Sequence, residues 1–311
     1  EILKFKILVE NLILDAITGY LTVLNYESSL DVTKKNFESV TNFLEEIQTL
    51  YEAGSASIYD LQIAESAFAI AKLNLFIAEQ DLLIGKKSFK RIVGLEAIDL
   101  NTVVDINTNL ILKNIEEKSI NNNLSLQLIK NEIRNKEILL LKEKKTKKPS
   151  LDLLGTAEYS DTDKIDRGTE TIKGNISVTL TIPIFQQGID NSNIRKFYSQ
   201  ILQTELNLHD SKEDLLLSIS DTFKDFIISK SKMNANNLNI KASETSIESL
   251  KQEYLFGTKA ISDVLDEEEK LLTFKLNYSN SKKEYLISYF KIKSFEGSLL
   301  ENFKEYLPNF N

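Results

Sequence analysis

The 311-residue chain is 42 % hydrophobic and 27 % charged, the composition of a folded protein long enough for two average domains or one elongated one. It has no Cys and a single His, which excludes disulfides, thiolate nucleophiles and Cys/His zinc sites, and its net charge of −8 leaves no nucleic-acid footprint. No uninterrupted apolar run approaches the length of a membrane-crossing helix, so none is expected.

Glu1 is not a start methionine and no charged-then-apolar leader precedes the first helical stretch, which leaves a removed signal peptide or a longer missing segment. From there Leu12, Ala16, Tyr20 and Val23 step at helical spacing, as do Phe37, Leu44, Ile47 and Tyr51. The stretch "YEAGSASIYDLQIAESAF" beginning at Tyr51 then breaks the helix. Gly54 stands just past its end, where a left-handed residue closes a helix without Cβ penalty, and Ser57 with Asp60 forms a capping box for the next one. Beyond it Leu61, Phe68, Leu75 and Leu82 recur every seven residues, the spacing of a coiled-coil seam. "IGKKS" at 84–88 is no phosphate loop, because position 80, where such a loop needs Gly, is Gln80.

After a linker at 99–122, a helical segment at 123–148 ends in "KEKKTKK" and Pro149. The lysine run is the mark of a solvated helix end, with a membrane interface as the second reading. The period then changes from helical to two. "SLDLLGTAEYS" (150–160) and "TIKGNISVTLTIPIF" (171–185) are predicted strands joined by the polar hairpin "DTDKIDRGTE". Each has about the length of a tilted barrel strand, although alternation alone is met more often in a soluble hairpin half buried against helices.

From Gly188 to Tyr254 no Pro and no internal Gly interrupts a helix of about 65 residues, roughly 100 Å at 1.5 Å per residue. His209 lies within it, in "ELNLHDSKED", away from any Gly-rich elbow that would make it part of a catalytic triad. "YLFGTKAISDVLDEEEKL" follows from Tyr254, 203 positions after Tyr51 (254 − 51), and pairs Gly257 with Gly54, Ile261 with Ile58, Asp263 with Asp60 and Glu268 with Glu65. The apolar rows match at the same offset: Leu215, Ile219, Phe223 and Phe226 answer Leu12, Ala16, Tyr20 and Val23. Residues 1–98 and 204–301 are thus two copies of helix, tight turn, helix.

"GTKAISDVLDEEEKLLTFKLNYSNSKKEYLISYFKIKSFEGSL", "TIPIFQQG" after a predicted strand, and "KKPSLDLLGTAEY" leading another together resemble the TolC-like family of outer-membrane efflux and type I secretion channels. Gln187 stands where the family has the first Gly of a pair. The resemblance implies a mainly α protein with a transmembrane β-hairpin: a long α-helical barrel and a β-barrel shared by three protomers. In each protomer a tandem repeat is expected, with 1–98 the second part of repeat 1, 123–311 repeat 2, and the start of repeat 1 truncated at the N-terminus. It implies a passive exit duct in the Gram-negative outer membrane, extending into the periplasm. Its partners would be a periplasmic adaptor and an inner-membrane ABC or proton-driven transporter, with outer-membrane lipid around the barrel. Neither enzyme activity nor a cofactor is expected.

Carried over by position, Asp60, Tyr254, Lys259, Asp263 and Asp266 are the expected periplasmic gate, and the tips at Gly54 and Gly257 the expected adaptor-docking points. Lys259 stands where the family has arginine and loses the fork that grips a carboxylate twice. Asp263 and Asp266, three apart on one helix face, would form acidic rings able to hold cations, although acids in a first turn are also favoured by the helix dipole alone. The competing class is a soluble coiled-coil adaptor or scaffold carrying a β-hairpin.

Overall fold

The computed structural model describes residues 1–101, 106, 110–162, 169–184 and 187–306. In chain order the elements are α1 (Ile2–Glu52), α2 (Ile58–Val93), α3 (Leu112–Asn122), α4 (Leu124–Lys145), β1 (Ser150–Thr162), β2 (Thr169–Thr181), α5 (Ile189–Leu255), α6 (Ile261–Phe295), α7 (Leu299–Asn302) and a 3₁₀ turn, Lys304–Tyr306. The fold is mainly helical with one antiparallel hairpin, the class expected. Within 99–122, expected as linker, residues Leu112–Asn122 are helical. The chain divides into two compact units, one formed by Glu1–Ser125 with Lys212–Asn311 and the other by Leu126–Ser211.

In the first unit α1 packs along both α2 and α6. Gly85 of "IGKKS" serves this packing: a Cβ there would stand 2.6 Å from the Tyr26 ring, so the absent side chain lets α1 and α2 approach. At the tip end Phe43, Leu44, Ile47, Ala64, Ile261 and Val264 form one buried cluster that joins both hairpins. Complete burial of an Ile or Val side chain is worth about 1.5–3 kcal/mol, so this cluster is what holds the tips in place. The duplicated rows are not equally buried: Leu215 and Ile219 are inside, whereas Leu12 is 56 % exposed.

The two long N-terminal helices correct one expectation. Although no apolar run is unbroken, α1 and α2 are long and apolar enough to cross a membrane by length and composition. The two helices pack against each other, yet only 17 % and 11 % of their most apolar stretches is buried among the described residues.

The helix ends carry the two copies of a second glycine. Gly94 closes α2 at φ +81° with open space around it, while Gly297, at φ +67°, lets the Asn122 carbonyl approach to where a Cβ would lie 2.4 Å away. Ala at either site meets the left-handed penalty of about 1–2 kcal/mol, but only at 297 does it also collide with backbone. Denaturant unfolding should therefore show Gly297→Ala losing more than about 2 kcal/mol and Gly94→Ala about 1. Equal losses would contradict the close approach.

On α1, Glu10 is buried and its Oε1 has no hydrogen-bond partner. Burial raises its carboxyl to about 7, partly offset by the Ser294 hydroxyl. A folded-state value above the unfolded one means that the folded chain holds this proton where the unfolded chain has lost it. Stability therefore falls as pH rises between the ordinary 4.5 and about 7, and the loss is complete above that. Glu10→Gln should raise Tm by a few degrees at pH 8 and leave it unchanged near pH 4.5. An equal shift at both pH values would contradict this.

In the second unit, β1 and β2 pair in antiparallel register from Ser150↔Thr181 to Thr162↔Thr169. The expected strand 171–185 ends early, at Thr181. Its partner begins at Ser150, just past Pro149, so among the described residues those beyond Thr181 have no strand to pair with. Both strands run further toward the hairpin than expected, to Thr162 and from Thr169. Loop residues 163–168, and Phe185 and Gln186 of "TIPIFQQG", lie outside the described residues. Gln187 takes φ +51° beside Gly188 at +77°, so the departure from the family's glycine pair keeps a glycine-like backbone.

Candidate functional site

Two surfaces carry the functional expectations. The first is the pair of tips, and the same local chemistry builds both. Gly54 at φ +78° lets Ser55 N–H donate to the Leu50 carbonyl at 2.8 Å; Gly257 at φ +72° lets Thr258 N–H donate to the Glu253 carbonyl at 2.9 Å. Each is a left-handed helix closure that satisfies carbonyls the helix leaves open.

The outgoing helices differ. At α2, Asp60 accepts from the Ser57 backbone N–H at 2.9 Å and the Ser57 hydroxyl accepts from the Asp60 N–H at 3.1 Å, a full capping box. At α6 position 260 is Ala260, so only half remains: Asp263 accepts from the Ala260 N–H at 3.3 Å.

Tyr254 is half-buried against the tip cluster, edge-on to Phe43 with ring centroids 6.2 Å apart. Burial raises its phenol above the ordinary value, and the charges of Asp60 and Glu46 add to the effect. Tyr254 and Asp60, from different hairpins, thus share one corner of the molecule. Lys259 and Asp266 are exposed, and among the described residues Lys259 makes no ion pair. No group of His, Asp or Glu able to hold a metal occurs among the described residues of one chain; rings of Asp263 and Asp266 need three copies.

A neighbouring polar group was not anticipated from sequence. Glu268 on α6, with a side chain only 9 % exposed, accepts from Lys251 of α5 at 3.1 Å and from the Ser39 hydroxyl of α1 at 2.8 Å. Lys251 also lies over the Phe43 ring, 5.6 Å from its centroid. The only signal was the Glu65/Glu268 match, whose first member is exposed. Lys251→Met strands a buried carboxylate and should lower unfolding stability by about 2 kcal/mol, most of which Glu268→Met on top of it should restore. A neutral single variant would contradict the link.

The second surface is the strand pair. Cross-strand partners share a face, and the register sets Leu151, Leu153 and Tyr159 opposite Leu180, Val178 and Ile172, with Gly155 opposite Ile176. All seven large side chains on that face are between 60 and 80 % exposed. The opposite face carries Asp152, Thr156, Glu158, Lys173, Asn175, Ser177 and Thr179, with Leu154 its one large apolar member.

No family model matches the chain. The outer membrane protein TolC of Escherichia coli K12 is 24 % identical over 314 positions, covering 94 % of this chain and 62 % of that protein. TolC of Vibrio cholerae is 25 % identical over 310 positions, covering 94 % and 69 %. The crystal structure of CusC, described for its folding and transmembrane channel formation, superposes with a TM-score of 0.78 at 12 % identity over 94 % of this chain and 69 % of its own. The chain is TolC-like in sequence and has the CusC fold, and it spans about 62 % of the length of its E. coli relative.

Proposed function

We propose that this chain is part of a passive outer-membrane exit duct of a tripartite efflux or secretion system. The observation that carries the reading is the strand register: it gathers the large apolar residues onto one uncovered face and leaves polar residues on the other. That is the alternation of a barrel wall with lipid outside and water inside. A two-stranded sheet has open edges that lipid does not tolerate, so the barrel is closed by other strands, in a homotrimer. The names of the matched relatives support the outer-membrane location. The soluble-scaffold reading needs this face buried, and no described residue covers it.

The rest of the machine follows from the resemblance. The chain divides as a tandem repeat, with a second part of repeat 1 at 1–98 and repeat 2 at 123–311. The helices extend into the periplasm, and the tips at Gly54 and Gly257 dock an adaptor that couples the duct to an inner-membrane transporter. Asp60, Tyr254 and Lys259 hold the entrance shut between neighbouring protomers, and Asp263 with Asp266 ring it with negative charge. The duct performs no chemistry of its own; the transporter supplies the energy. Planar-bilayer recording on the purified full-length protein tests this: cation-selective steps from a trimeric species are expected, and a monomer that conducts nothing and stays in the soluble fraction would sink the reading.

A further inference from the structure

In the last turn of α4 and the short stretch that leads to β1, residues 142–148 carry Lys142, Lys144, Lys145, Lys147 and Lys148, all exposed, against the single acid Glu143. The first turns of α5 add the exposed Arg195 and Lys196 against Asp190. Side chains tie the two segments into one surface. Lys144 Nζ donates to the Tyr198 hydroxyl at 2.7 Å and lies 4.9 Å from that ring's centroid. Lys147 Nζ donates to Asn191 Oδ1, and Asn193 Nδ2 donates to Glu143 Oε1 at 2.7 Å. Among the described residues none of the five lysines forms an ion pair.

A helix C-terminus favours one or two cations through its dipole. It does not account for five lysines in a segment tied, through Tyr198, Asn191 and Asn193, to a helix that also carries Arg195 and Lys196. Mutual repulsion disfavours such a cluster unless anions come from outside. Its position supplies them: immediately past Pro149 begins the first row of the apolar face, Leu151 opposite Leu180. At that level a membrane presents phosphates, and exposed Tyr198, apolar in body and polar at its tip, suits the same boundary.

We infer that this basic collar is a docking surface for anionic phospholipid headgroups of the leaflet nearest Ser150 and Thr181. The inference rests on reading β1 and β2 as membrane-spanning. Lysine ammoniums act as compact point charges on headgroup phosphates, and the collar fixes the depth at which the strands sit.

Native mass spectrometry of the full-length protein in detergent, titrated with phosphatidylglycerol or phosphatidylcholine, tests it. The wild type should retain phosphatidylglycerol preferentially. Gln at the five lysines of 142–148 should cut that preference about tenfold or more, since each cation near a charged surface contributes on the order of fivefold. Lys34, Lys72, Lys232 and Lys241→Gln should keep it. Unchanged preference in the collar variant, equal loss in the control, or displacement of the lipid by inorganic phosphate would each overturn the collar. Membrane fractionation separates the two readings: an inserted wild type without lipid preference sinks the collar alone, and a wild type that never inserts sinks the spanning strands.

Discussion

Val178→Arg is expected to block assembly in the outer membrane, whereas Thr179→Arg, one residue along, is expected to assemble. Val178 pairs with Leu153 on the apolar face, and Thr179 with Asp152 on the polar one. An arginine facing lipid near the midplane costs about 2–4 kcal/mol, and a trimer bears that cost three times. Leu180→Arg should behave like Val178→Arg, and Ser177→Arg like Thr179→Arg. Outer-membrane fractionation and heat-modifiable migration on gels read the outcome. Equal tolerance of both rows would remove the lipid-facing assignment.

Lys259→Ser is expected to raise the conductance of the full-length channel severalfold. An exposed pair between Lys259 and a neighbour's Asp60 is worth only about 0–1 kcal/mol, but three pairs act on one aperture and sum to about 3 kcal/mol at most. The structure refines the choice of partner variant. Asp60 also caps α2 through Ser57, so Asp60→Ala would lose helix stability as well as charge. Asp60→Asn keeps an oxygen for the cap and removes only the charge. It should open the channel as Lys259→Ser does, and the double variant should add little. Asp263→Ala with Asp266→Ala should leave the aperture narrow while weakening cation selectivity and block by multivalent cations. If Lys259→Ser leaves conductance unchanged while Asp263→Ala opens the pore, the gate roles carried over by position are wrong.

What could be read in advance was what local spacing encodes. The tip closures follow from Gly54 and Gly257, which alone tolerate φ near +75° cheaply, and the Ser57–Asp60 box from two residues three apart. Strict alternation in "TIKGNISVTLT" set which β2 side chains share a face, and pairing with β1 confirmed it. Interactions that depend on tertiary distance were not legible. Ser39 and Glu268 lie 229 positions apart, so no spacing rule joins them. The strand ended at Thr181 because of where its partner starts, which is a property of the pair. Leu12 and Leu215 occupy the same place in two copies of one pattern, yet among the described residues Leu215 is covered and Leu12 is exposed. Periodicity shows which face of a helix is apolar; it does not show what lies against it.

The central claim is that β1 and β2 present one face to lipid and the other to water. Its most direct measurement is a single-cysteine spin-label scan through 171–181, for which this stretch of chain contributes no competing Cys. In the membrane-assembled full-length protein, labels at 172, 176, 178 and 180 should be accessible to oxygen and shielded from a water-soluble nickel reagent. Labels at 173, 175, 177 and 179 should show the reverse. Loss of that period of two, with both rows equally open to the nickel reagent, would contradict a membrane-spanning strand pair.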